Sequence, residues 1–92
     1  MTDEQMLSML KIDLGITTTA YDARLAQYIQ SAAVQIAREG AADLNTSESL
    51  DDAQLVILYA AWMWRKRDTG DGMPRMLRYA LNNRIFASKA RG

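Results

Sequence analysis

The chain contains no cysteine and no histidine. Without Cys, no disulfide framework or thiolate metal site can form; without His, the usual base near neutral pH and the commonest metal ligand are missing. Most familiar catalytic and metal centres are thereby excluded, and the sequence assigns no catalytic residue, cofactor or metal. Only one proline interrupts 92 residues, 49% of them hydrophobic, which separates the chain from disordered and fibrous compositions. Also missing is the run of roughly 20 apolar residues that a bilayer-spanning helix needs. The longest, Leu55 to Trp64, has ten, so no membrane span is expected. The start, Met1-Thr2-Asp3-Glu4, lacks the basic and apolar regions of a signal peptide and predicts a protein that stays in the cell that makes it.

A chain of 92 residues predicts one domain, residues 1 to 92, with a modest core. Its organising stretch is the run from Leu55 to Trp64, followed at once by Arg65-Lys66-Arg67 and a turn, Asp68 to Pro74. Periodicity cannot separate a buried helix from a buried strand in such a run, but the flanks can. Ser49 is a cap, Asp51 and Asp52 suit the positive end of a helix dipole, and three cations suit the negative end. At about 100° per residue, Leu55, Leu58, Tyr59 and Trp62 fall on one face, and Ile57, Ala60, Ala61 and Trp64 on the other. A helix apolar all round is either enclosed by its neighbours or leaves one face for another protein. Both tryptophans can be core. Alternatively Trp64, beside the basic cluster, belongs to a subunit contact, where aromatic residues and Arg are enriched.

Three further helices flank this one, which makes the expected class all-α, a bundle of about four helices around a buried central helix. The first runs from a Thr2 or Asp3 cap to Leu14 and stops at Gly15. The second begins at an Asp22 cap and carries Leu25, Tyr28, Ile29, Ala32, Ala33, Ile36 and Ala37 at helical spacing up to Gly40. Its alanines allow close approach to the central helix. The fourth runs from Pro74 to about Phe86, with Leu77, Ala80, Leu81 and Ile85 inward and Arg75, Arg78 and Asn82 on an outer stripe. Arg84 falls inward, so it needs an acid or a contact, because an unpaired buried charge is very costly. Residues 86 to 92 are expected to be a flexible tail.

Charge is unevenly spread. Residues 1 to 61 hold Lys11, Arg24 and Arg38 against nine acids, whereas residues 62 to 92 hold eight cations against Asp68 and Asp71. This polarity suits head-to-tail association of copies, a nucleic-acid surface, or neutralisation of one half by the other within the fold. Asp68-Thr69-Gly70 matches a protease triplet, but that motif needs a β-rich setting, and the same loop lacks the alternating acids of a Ca²⁺ site. Turn chemistry suffices to explain it. Cations on both arms of the turn outline a helix-turn-helix, with Asn82 and Asn83 able to read adenine, although the turn is longer than the usual three or four residues.

Several stretches together carry a resemblance. They are Met6-Leu7 with Leu10 to Ile16, Tyr21-Asp22, Leu25 with Tyr28-Ile29, Ala37 to Gly40, Tyr59 to Trp62, and above all Arg67 to Arg78 with Leu81-Asn82-Asn83-Arg84. In this order they resemble the small helical head-tail connector, or adaptor, proteins of tailed bacteriophages of the siphophage kind. The resemblance implies a structural virion protein without enzymatic activity. It implies a homo-oligomeric ring of about a dozen subunits that docks on the portal protein after DNA packaging, extends the DNA channel, and offers a platform to the next head-completion or tail protein. It further implies residence in the bacterial host cytoplasm during assembly and then in the virion, with non-specific contact to channel DNA. The subunit or portal contacts are expected at Trp64, Arg65, Arg67, Arg75, Arg78, Asn82 and Arg84. The alternative is a small phage DNA-binding or packaging factor of helix-turn-helix type.

Overall fold

In the computed structural model, which describes residues 1 to 91, three helices pack around the flank of a fourth. The elements are α1 (Asp3–Leu14), α2 (Asp22–Glu39), α3 (Leu50–Thr69) and α4 (Arg75–Arg91), with no strand among the described residues. The protein is therefore all-α, organised on α3. Helix α2 makes the most extensive contact with α3, α1 lies against both, and α4 packs on α3.

Local chemistry sets most of the helix ends. The Thr2 hydroxyl accepts from the Gln5 N–H while the Gln5 side chain accepts from the Thr2 N–H, a reciprocal cap. The Ser49 hydroxyl accepts from the Asp52 N–H and starts α3. Gly15 and Gly70 end α1 and α3 in the left-handed region that costs glycine nothing sterically. Helix α2 departs from expectation at its start. Tyr21 occupies the cap position without a side-chain bond, and Asp22, the expected cap, is the first helical residue, with Oδ1 2.8 Å from Lys11 Nζ of α1. Asp22 joins two helices instead of capping one.

Long-range contacts fix the direction of each helix. The Met1 ammonium donates to the Thr46 carbonyl just before α3, and at the far end Arg65 Nη2 donates to the Asp13 carbonyl, so α1 runs parallel to α3. Trp64, late in α3, meets Tyr21 and Tyr28 at the start of α2, which therefore runs the other way. Trp62 Nε1 donates to the Gly72 carbonyl and Arg84 reaches back to Asp52, so α4 also runs against α3. The order is up, down, up, down.

The core is filled by Met6 and Leu10 of α1, Leu25, Ile29, Ala32 and Ile36 of α2, Ala53, Val56 and Ala60 of α3, and Leu77 and Leu81 of α4. Ala32 and Ala60 are fully buried, as expected for two helices in close approach. Two boundaries differ from the sequence reading. Helix α3 carries Lys66 and Arg67 in its last turn, as expected, but runs two residues into the expected turn, through Thr69, whose hydroxyl donates to the Arg65 carbonyl. Helix α4 does not end near Phe86 but continues through Arg91, which is held by Asp43 at 2.9 Å. The expected tail is thus helical from 86 to 91; its last residue, 92, lies outside the described residues.

Candidate functional site

Helix α3 is not fully enclosed. Leu50, Asp51, Gln54 and Leu58 form an uncovered strip along it, and Leu50 and Leu58 keep 60% and 51% of their surface exposed. Leu58 therefore leaves the core face on which its wheel position groups it with Leu55 and Tyr59, both buried. The reason is geometric. Helices α1, α2 and α4 cover three sides of α3, and Leu58 falls on the fourth.

The strip is flanked by two depressions. On the α1 side a groove of about 680 Å³ is lined by Met1, Gln5 and Met9 opposite Leu50, Gln54 and Ile57, with Glu4 at its edge. On the α4 side a more polar cleft of about 570 Å³ lies between Asp51, Asp52 and Leu55 and the side chains Asn83, Arg84 and Ala87. Helices α1 and α4 thus stand on opposite flanks of the strip. Beyond the cleft, the outer face of α4 exposes Met76 (83%), Tyr79 (59%) and Phe86 (75%). Sequence reasoning missed these three, although their steps of three and seven were a readable signal.

The residues expected to make contacts fall into different settings. Trp64 is half-buried inside an aromatic cluster, edge-on to Tyr21 (5.3 Å) and Tyr28 (5.9 Å), with the Arg67 guanidinium 3.8 Å above its ring. Trp62 faces elsewhere, stacked edge-on with Tyr59 and covered by the Lys66 ammonium at 4.3 Å. Arg65 is spent on the Asp13 carbonyl, and Arg78 stands 3.4 Å from Glu39. Arg75 and Asn82 are exposed, and Arg75 makes no hydrogen bond or ion pair among the described residues. Among the described residues no cation–π contact joins Arg75 to Trp64, whose ring is covered by Arg67.

Arg84 finds the acid it needs. It is inserted between Asp52, at 2.7 Å from Nε, and Asp43, at 2.9 Å from Nη1. The Ser88 hydroxyl first, then Arg84 and Arg91, hold the Asp43 carboxyl far below the ordinary carboxylate range. Burial pushes Asp52 up, but hydrogen bonds from Arg84 and the Asn45 N–H outweigh it and leave the carboxyl lowered. This cluster ties α4 and the 41 to 49 loop to the start of α3. Together with Arg78–Glu39 and Arg91–Asp43 it also settles much of the charge polarity internally, since cations of the second half meet acids of the first. Among the eight cations after position 61, Arg75 and Lys89 are left without a partner among the described residues.

Among the described residues, no cluster of three or more His, Cys, Asp or Glu is placed to hold a metal ion, and no helix is long and apolar enough to cross a membrane. Comparison with protein-family models, with curated proteins and with solved structures gives no match.

Proposed function

We propose that the chain is the repeating subunit of a head-tail connector ring in a tailed bacteriophage, a structural role and not a catalytic one. The observation that carries this reading is the apolar surface left open on α3, at Leu50 and Leu58, and on α4, at Met76, Tyr79 and Phe86. A domain this small has little apolar surface to spare, and rows of exposed large side chains mark surfaces that another protein covers. The resemblance of the Arg67 to Arg84 segment to the connector proteins supplies the portal, the channel and the virion setting. In this reading the ring seats on the portal, and Arg75 and Asn82, both exposed, meet a neighbouring subunit or the portal.

The competing reading is a small DNA-binding or packaging factor. It draws on α4, which carries Arg75, Arg78, Arg84, Lys89 and Arg91 and no acid. Against it, Arg78, Arg84 and Arg91 are held by Glu39, Asp52 and Asp43, which leaves few cations for phosphates.

Native mass spectrometry over a protein and salt series, with a duplex DNA control, separates the two. Closed oligomers near a dozen copies, formed alone or on addition of a portal, are the expected result. A monomer that binds duplex DNA in low salt and forms no ring on a portal overturns it. Arg75→Glu is the cleaner probe of assembly, because Arg78→Glu would also break the contact with Glu39 inside the subunit.

A further inference from the structure

Helix α4 shows solvent a row at alternating steps of three and four, Met76, Tyr79, Asn83, Phe86 and Ala90, all exposed. This is the spacing by which one helix seats against others, and among the described residues nothing covers it. We propose that this row docks into the groove between α1 and α3 of a second copy of the same chain. Met9, Leu50 and Ile57 there provide an apolar floor for Tyr79 and Phe86.

Charge selects the same partner. Lys89 has no partner among the described residues, and α4 carries no acid to repel an acidic surface. At the end of the groove where α1 begins, Glu4 is exposed and likewise unpaired among the described residues. Docking with Lys89 over Glu4 joins these charges and runs α4 against the direction of the two helices that receive it. Opposite-sign patches steer and orient association even where each pair adds little affinity.

The two surfaces occupy opposite flanks of α3, so one copy offers its row while its own groove stays open for the next. Such a contact is head-to-tail and repeats from subunit to subunit. The inference rests on the ring reading only for closure of the repeats; the contact itself stands on exposure, spacing and charge.

The absence of native cysteine makes the test direct. Tyr79→Cys and Met9→Cys are made as separate chains, mixed, and oxidised mildly with diamide. The mixture should yield a covalent dimer at least tenfold above either variant alone. A dimer formed by Tyr79→Cys alone, or no product above background at millimolar protein, overturns the docking. Phe86→Glu, at a site already exposed, should weaken self-association at least tenfold with an unchanged helical spectrum; unchanged association overturns the proposal. Lys89→Glu and Glu4→Lys should each weaken association a few-fold and restore it when combined in one chain; failure to restore overturns the stated orientation. A chain carrying both cysteines distinguishes the two readings. A ladder that stops at a closed number near a dozen supports both, whereas an open ladder upholds the docking and removes the ring.

Discussion

Arg84 of α4 and Asp52 of α3 form a two-pronged pair, Nε donating to Oδ1 at 2.7 Å and Nη2 to Oδ2 at 3.2 Å. Both side chains are largely buried, 12% and 7% exposed. The pair closes the end of the bundle where α4 has least apolar contact, since the buried apolar residues of that helix are Leu77 and Leu81. It is the most buried of the ion pairs that join the helices.

Removing one partner strands the other. Arg84→Met should cost about 2–3 kcal/mol, below the range for fully buried pairs because some exposure remains. Arg84→Met combined with Asp52→Leu should recover part of that loss, because neither charge is then left alone. Urea midpoints of the two variants and the parent check this.

Acid should loosen the same end of the molecule. Asp43 and Asp52 both have carboxyls lowered in the folded state. A depressed group contributes stability that is complete above its unfolded value, about 3.9, and is lost as pH falls through the folded value. Thermal melts should therefore be flat from about pH 7 to 5 and fall steeply below about pH 4. With Arg84→Met the slope should be shallower, because the shift at both carboxyls depends on that guanidinium.

Gly40 should tolerate a side chain far less well than Gly15. Both have positive φ, +139° and +71°, but a Cβ at Gly40 would stand 2.7 Å from Ile85 Cγ2, whereas at Gly15 it meets nothing within 4 Å. Gly15→Ala is expected to cost about 1 kcal/mol from backbone strain alone. Gly40→Ala should cost about 3 kcal/mol, strain and overpacking together. Combined with Ile85→Ala, it should cost about 1 kcal/mol less than the sum of the two single changes, which chemical denaturation of the four chains would measure.

Two leucines of similar apolarity should behave in opposite ways. Leu81→Ala removes a fully buried side chain and should cost about 2–5 kcal/mol. Leu58→Gln alters the uncovered strip and should stay within about 0.5 kcal/mol. Differential scanning calorimetry of both variants checks the contrast at dilution.

What the sequence made legible was whatever is decided locally. The Thr2 and Ser49 caps, the glycine stops, the Ala-faced packing of α2 on α3 and the need of Arg84 for an acid all follow from side chains within a few residues, or from a charge that cannot stay alone. Leu58 shows the limit. A helical wheel gives its angle, but not which angle the other helices leave open. The extension of α4 was hidden for a related reason, because Arg91 is held by Asp43, a residue 48 positions away that no local pattern announces. Trp64 carried two readings, core and contact; its engagement with Tyr21, Tyr28 and Arg67 depends on how α2 lies, whereas the apolar surface left over sits on α4.

The 41 to 49 loop receives both ends of the described chain, the Met1 ammonium at the Thr46 carbonyl and Arg91 at Asp43. Topologically the backbone is therefore almost a circle whose cut happens to fall beside that loop. A permuted chain, with Met1 joined to the far end by about eight glycines and reopened in the 70 to 73 turn, should keep the same four helices in the same places. Its new ends would emerge beside Trp62 at the opposite pole, which frees the loop end of the molecule for whatever it meets.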